Sequence, residues 1–282
     1  MCPTLSRHDS CTHPPRRFGR LDSVHDHAFL AGPYPRAFVH RGWHYDDLAG
    51  MENSLSAFRR AVREGYQYLE TDVHATKDGV VVVHHDPVLD RTTDASGVVA
   101  RLPWASVRRA KIAGREPVSR LEDVLEELPD ALLNIDVKAE SAIQPLIDTL
   151  RRANALHRVC VASFSEARLE RVRRFAGDNV LTSMGTRAIA RLWASGRLPP
   201  WVLRRRGHQR IAQVPVQHGR LKVVDKRLIT VARRRGIEVH VWTVDEPAQM
   251  HELIDLGVDG LMTDRPGVLR DVLRERGLWA AA

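Results

Sequence analysis

Glu70, Asp72 and His74 occupy alternate positions in the stretch Tyr68-Leu69-Glu70-Thr71-Asp72-Val73-His74. In a strand these three side chains share one face, while Leu69, Thr71 and Val73 share the other. Two carboxylates two residues apart on one face repel each other unless a cation lies between them, and a hard divalent ion prefers such oxygens. The spacing therefore points to a metal site. Two further apolar runs end in residues that a purely structural strand has no reason to carry. Ala37-Phe38-Val39 runs into His40-Arg41-Gly42, and Val80 to Val83 runs into His84-His85-Asp86. Imidazoles titrate near neutrality, which suits them to proton transfer. A second alternation, Asn134, Asp136 and Lys138, adds a third carboxylate and an ammonium.

From Ala37 onward the pattern alternates strand and helix. Strand one ends at His40, and strand two covers about 67–74. Lys77-Asp78-Gly79 is a turn signal, so 80–85 reads as an extra strand folded back on strand two. Residues 91–120 form an irregular insertion ahead of a helix ending near Leu128. Further strands are predicted over 131–137, 158–163, 180–183, 210–214, 238–244 and 259–263, each followed by a helical segment. Leaving out the 80–85 excursion, eight strands each precede a helix, the pattern of a (β/α)8 TIM barrel with a short extra strand and a small insertion after strand 2. Active sites of such barrels lie at the C-terminal strand ends. His40, Glu70, Asp72, Asp136, Lys138, Trp242 and Asp264 all fall there. Residues 1–35 lack periodicity and read as a loosely ordered leader, with 36–282 as the barrel domain.

Five elements occur in order over the first hundred residues: His40-Arg41-Gly42, then Glu52-Asn53-Ser54 with Ala57-Phe58, then Glu70-x-Asp72, then Thr76-x-Asp78-Gly79, then His85-Asp86-x-x-Leu89-x-Arg91-Thr92-Thr93. Their order and spacing resemble the glycerophosphodiester phosphodiesterase family. Asn134 to Lys138, Ser163-Phe164, Gln213-Val214-Pro215, Val241 to Val244 and Thr263 to Pro266 resemble its later landmarks, so the likeness runs from about Phe38 to the C-terminus. The resemblance implies metal-dependent hydrolysis of glycerophosphodiesters to glycerol 3-phosphate and an alcohol. It assigns Glu70, Asp72 and Asp136 to one Mg²⁺ or Ca²⁺, and His40 and His85 to acid–base catalysis. Arg41 and Lys138 would bind phosphate oxygens, and Trp242 would wall the glycerol. Asp136 departs from the family pattern, where glutamate is common. Within the same barrel, lysophospholipase D or phosphatidylinositol phospholipase C-like activity is the alternative, and a non-catalytic phosphoryl-ligand binder is the reading from another class.

Other polar residues have local explanations. His84 points away from the site face. His74 shares the Glu70 face, where a rim contact or support for the ligands is expected. Asn53 either caps the following helix or touches the site, and Gln213 is a further candidate substrate contact.

With 282 residues and 43% hydrophobic content, the chain is long enough for one large barrel, which commonly takes about 250 residues. The net charge of +8 favours anionic small-molecule substrates, and no recognised nucleic-acid module is present. Three cysteines make no disulfide framework or zinc pattern. No apolar run has the length of a secretory signal or membrane-spanning helix, so no stable membrane insertion and a cytoplasmic location are expected. Nothing in the pattern specifies an oligomeric state.

Overall fold

Eight strands pair edge to edge in parallel: β1 (Arg36–Val39), β2 (Tyr68–Ala75), β3 (Leu132–Val137), β4 (Val159–Ala162), β5 (Leu181–Thr182), β6 (Ile211–Pro215), β7 (Glu238–Trp242) and β8 (Gly260–Thr263). Their spatial order is β5-β4-β3-β2-β1-β8-β7-β6. A parallel bridge between Ser183 and Ile211 closes the ring. The structure, a computed structural model, describes residues 27–177, 180–197 and 209–279. The Arg204-Arg205-Arg206 run and the first 26 residues of the expected leader lie outside them.

Each strand is followed by a helix: α1 (Leu55–Arg63), α2 (Leu121–Glu127), α3 (Ile143–Arg152), α4 (Glu166–Ala176), α5 (Thr186–Ser195), α6 (Lys226–Arg234), α7 (Pro247–Leu256) and α8 (Pro266–Glu275). The TIM-barrel expectation therefore holds. Strand side chains alternate between two environments, as the two-residue period requires. Leu69, Val73, Leu133, Ile135, Val239, Val241 and Leu261 point outward into one apolar cluster with the helices. Each such fully buried Leu or Ile stabilises the fold by roughly 1.5–3 kcal/mol. The intervening residues, among them Phe38, Tyr68, Leu132, Cys160, Leu181, Ile211 and Met262, fill the barrel interior. Polar residues above them face the C-terminal mouth.

The leader boundary needs correction. Residues 27–35 are not loose: Phe29 is fully buried against the interior cluster. Its ring meets Tyr68 edge-on at 5.2 Å, and its carbonyl accepts the Tyr68 hydroxyl at 2.8 Å. The N-terminal end of a barrel would otherwise leave these interior side chains wet. Directly above, Arg36 donates from Nε and Nη2 to Glu238 at 2.7 and 2.8 Å and from Nη2 to the Leu30 carbonyl at 2.8 Å. Burial by itself raises the Glu238 pKa, yet the Arg36 hydrogen bonds and charge hold it well below the usual carboxylate range.

The excursion after β2 is Val81–Val83, antiparallel to β2 with Val73 opposite Val83. The insertion expected to be irregular instead contains a one-turn helix at Trp104–Val107 and a short ladder between Lys111–Ile112 and Glu116–Pro117. Met51, Val82, Leu89, Val99, Val107, Ile112 and Val118 give it a small core of its own. That core anchors the loop carrying His84 and His85. A hairpin of Gln217–His218 with Leu221–Lys222 follows β6 and has no counterpart in the sequence-based prediction.

Candidate active site

β2 and β3 set the acidic floor. Their parallel register places Asp72 beside Asp136 and Glu70 beside Asn134, all facing the barrel axis. All four are buried. Lys138, just past β3, reaches back with Nζ 2.8 Å from Asp72 Oδ1 and donates to Asp136 Oδ2 at 2.7 Å. Arg41 comes in from the other side, Nε 3.3 Å from Asp72 Oδ2, while its Nη1 donates to Glu52 at 3.1 Å.

The turn after β1 explains how Arg41 gets there. Arg41 and Gly42 both have positive φ, 56° and 81°. A Cβ on Gly42 would lie 2.9 Å from the Ala57 Cβ, so glycine alone fits between the turn and α1. The turn aims the Arg41 N–H at Glu70 Oε2, 3.1 Å away.

Three buried carboxylates answered by two cations have predictable electrostatics. Burial, reinforced by the neighbouring Asp72 charge, pushes Glu70 up to about 8. Burial also raises Asp136, and Lys138 only partly offsets it. Asp72 is the one held low: desolvation opposes ionisation, but Lys138 and Arg41 outweigh it. Asp136 Oδ1 is buried without a hydrogen-bond partner. An orphaned oxygen in a set of hard donors with excess negative charge fits a divalent cation. In this arrangement, however, it is Lys138 that spans Asp72 and Asp136. Among the described residues no group of three or more His, Cys, Asp and Glu side chains is clustered as a metal set.

Two imidazoles flank the floor, each anchored through Nδ1 to a carboxylate. His40 Nδ1 lies 2.6 Å from Asp264 Oδ1, and its Nε2 lies 3.7 Å from Glu70 Oε2. Burial pulls the His40 pKa down, but the Glu70 charge and the Asp264 hydrogen bond override it, and the net direction is up. Asp264 is held far below the usual carboxylate range, because its bonds to His40 and His44 outweigh desolvation. His85 Nδ1 lies 2.6 Å from Asp86 Oδ1. Asp86 in turn accepts from Arg91 Nε at 2.6 Å, and Arg91 donates to both oxygens of Glu52 at 2.8 and 2.9 Å. In both pairs Nε2 is left as the ring nitrogen available for chemistry.

One cavity of about 830 Å³ at the C-terminal mouth is lined by His40, Arg41, Glu70, Asp72, His85, Asp136, Lys138 and Trp242, every site residue predicted from the sequence. Gln213 also lines it, donating across the barrel to Asn134 at 2.7 Å. Trp242 meets Phe164 edge-on at 5.7 Å. His74 is a support rather than a site residue: its Nε2 bonds the His85 carbonyl at 3.0 Å. His84 bonds the Val88 carbonyl at 2.9 Å inside the loop, as its opposite face implied.

Asn53 is not the helix cap. Ser54 caps α1, its Oγ accepting the Ala57 N–H at 3.1 Å. Asn53 instead donates to Asp72 Oδ2 at 3.0 Å and accepts the Thr71 hydroxyl at 2.8 Å. Glu52, Asp86, Arg91 and Asp264 carry contacts that the sequence reading had given no role. Their signal in the sequence is membership in the Glu-Asn, His-Asp, Arg-Thr-Thr and Thr-Asp-Arg-Pro motifs and, for Asp264, its position at the C-terminal end of a strand.

Comparison with known proteins points to one family. Residues 40–268 match the model of the glycerophosphoryl diester phosphodiesterase family. The chain is 41% identical to "Probable glycerophosphodiester phosphodiesterase 2" of Mycobacterium tuberculosis, covering 87% of this chain and 93% of that protein. It is 30% identical to the glycerophosphodiester phosphodiesterase of Caldanaerobacter subterraneus, covering 85% and 98%. The crystal structure of a glycerophosphodiester phosphodiesterase from Agrobacterium tumefaciens superposes with a TM-score of 0.68 at 25% identity, over 85% of this chain and 99% of that one. With an acidic floor flanked by two carboxylate-anchored imidazoles at the mouth of a (β/α)8 barrel, the chain belongs to the glycerophosphoryl diester phosphodiesterase family of enzymes.

Proposed function

We propose that the chain hydrolyses glycerophosphodiesters by paired histidine catalysis at the Glu70–Asp72–Asp136 floor, releasing glycerol 3-phosphate and an alcohol. The observation that carries this reading is that His40 and His85 line one cavity with the three carboxylates, each ring locked through Nδ1 at 2.6 Å. Acid–base catalysis needs two groups that exchange protons near neutral pH, held in a fixed tautomer.

In the first step the glycerol hydroxyl next to the phosphate attacks phosphorus. One imidazole accepts that hydroxyl proton through Nε2, and the other, protonated, delivers a proton to the departing alkoxide. A cyclic phosphate and the free alcohol result. Water then opens the ring with the two roles exchanged, which returns both histidines to their starting protonation. Arg41 and Lys138 would bind the non-bridging oxygens, the guanidinium as a fork and the ammonium as a point charge. Glu70, Asp72 and Asp136 would hold Mg²⁺ or Ca²⁺, and the ion when bound would neutralise charge developing on the phosphate. Trp242 offers an apolar wall to the glycerol carbons.

A second reading rests on the far half of the cavity, where Met184, Ile189, Trp193, Leu221 and Val223 make an apolar surface. That surface would suit a monoacylated phosphodiester, the substrate of a lysophospholipase D.

The test is release of glycerol 3-phosphate from glycerophosphocholine, with lysophosphatidylcholine alongside. His40→Ala and His85→Ala are each expected to lower turnover by about 10²-fold or more with the fold intact. Wild-type turnover in either variant overturns the assignment. Exclusive use of the lipid favours the second reading.

A further inference from the structure

The polar floor accounts for one half of the mouth, while the other half has a different character. It is walled by α5 and by the hairpin of Gln217–His218 with Leu221–Lys222, both of which line the cavity. Two of its large apolar side chains stand in solvent, Phe164 at 61% and Leu221 at 48% exposure. Single exposed apolar residues need no explanation, but two on the rim of one apolar cavity are a patch.

The unpaired charges on α5 and the hairpin are of one sign. From Thr186 to Val224 the sequence contains no Asp or Glu. Arg187 and Arg191 lie on the exposed side of α5, and Arg220 and Lys222 bracket Leu221 on the hairpin. Among the described residues, none of these four cations makes an ion pair. Nearby arginines do: Arg171 pairs with Glu140 at 3.1 Å and Arg173 with Glu166 at 3.0 Å. Glu166 is further engaged by the Gly185 N–H, so it is not free to neutralise the rim.

We propose that this rim docks the enzyme onto an anionic lipid bilayer, with Arg187, Arg191, Arg220 and Lys222 against the headgroups and Leu221 and Phe164 at the interface. Unpaired cations at a surface are drawn to anionic headgroups within a Debye length. Apolar tips set between them gain by leaving water, which a purely acidic polymer does not offer. No described helix is long and apolar enough to cross a membrane, so the association is peripheral. The cavity opens on the same rim, so docking holds its mouth at the bilayer surface.

Co-sedimentation of the full chain with phosphatidylglycerol-rich vesicles tests this. Binding is expected to exceed that to pure phosphatidylcholine vesicles and to weaken steeply as salt rises. The variant R187Q/R191Q/R220Q/K222Q is expected to lose affinity by about fivefold per cation. It is also expected to turn over glycerophosphocholine as the wild type does, since none of the four lines the cavity. F164S/L221S is expected to keep the salt dependence but bind about tenfold more weakly. Failure to bind anionic vesicles, or binding untouched by the cation variant, overturns the proposal. So does a single-stranded oligonucleotide that binds as tightly as the vesicles while F164S/L221S changes nothing, because the rim is then a polyanion site.

Discussion

Asp136 lies directly beside Asp72 across the β2–β3 pairing, and both carboxylates fall on the single ammonium of Lys138, at 2.7 and 2.8 Å. Glu70, two residues before Asp72 on the same face, receives no contact from that ammonium. It accepts the Arg41 N–H, and the charges of His40 and, from farther off, Lys138 favour its ionisation, but they do not overcome its burial and the neighbouring Asp72 and Asp136 charges. The acidic floor is therefore divided: Lys138 and Arg41 hold Asp72 low, Lys138 only partly offsets the burial of Asp136, and Glu70 is pushed up to about 8.

Metal-free protein is expected to lose stability as Glu70 ionises. Its folded pKa lies above the unfolded one, so the folded state binds the extra proton, and stability falls as pH rises from the ordinary carboxylate range to about 8. Scanning fluorimetry of metal-free protein between these limits should show Tm falling, on the order of 5 °C of it removed in Glu70→Gln. Added Mg²⁺ should restore the wild type at the alkaline end, because the ion needs the carboxylate deprotonated. An identical Tm slope in wild type and variant would contradict this account.

Asp264 holds His40 both in orientation and in charge. Asp264→Asn is expected to lower kcat/KM by about 10²-fold or more, since the amide offers the ring the wrong tautomer. Asp264 contributes to raising the His40 pKa, so the limb of the pH–rate profile carried by His40 should move to lower pH in the variant. A drop in rate with both limbs unmoved would leave Asp264 with a purely steric role.

Arg91 never reaches the cavity, yet it joins Asp86, which orients His85, to Glu52, which orients Arg41. Arg91→Gln is expected to lower kcat about tenfold with little change in Tm, since exposed ion pairs contribute little to stability. Lys at this position should recover only part, because one ammonium cannot serve both carboxylates as a planar fork does. Steady-state kinetics on glycerophosphocholine decide it: unchanged kcat in Arg91→Gln removes the link from the mechanism.

How far the site could be read from the chain follows from the range of each contact. The fixed period of a strand puts Glu70, Asp72 and His74 on one face, and the same rule separates His84 from His85. The Asp264–His40 pair joins residues 224 apart, and no local pattern encodes it. Asn53 and Ser54 are both good caps by composition. Only the tertiary contact to Asp72 shows which one was taken for the site. His74 lay on the predicted face, but its partner, the His85 carbonyl, depends on how the insertion folds. Phe29 sits in a stretch without periodicity, and its burial arises from the open end of a barrel that forms far along the chain.

The N-terminal end of the barrel gives the sharpest stability prediction. Arg36 and Glu238 are buried together, and Glu238 also accepts the Tyr34 hydroxyl at 2.6 Å and contacts His240 at 3.0 Å. Removing one member strands a buried charge, at a cost of about 3–5 kcal/mol, or on the order of 10 °C in Tm. Glu238→Gln is expected to show this in full at pH 7. The folded pKa of Glu238 is depressed, so its stabilisation exists above the ordinary carboxylate pKa and is lost as pH falls through the folded value. The gap between variant and wild type should accordingly narrow on acidification. Replacing both partners, as in R36M/E238L, should recover part of the loss, since no lone charge is then buried. The kcat of either variant at 25 °C should stay near the wild-type value, because the pair lies at the end of the barrel opposite the site. A Glu238→Gln penalty that stays constant down to the acid limit would show that packing, and not the ionised pair, holds this end closed.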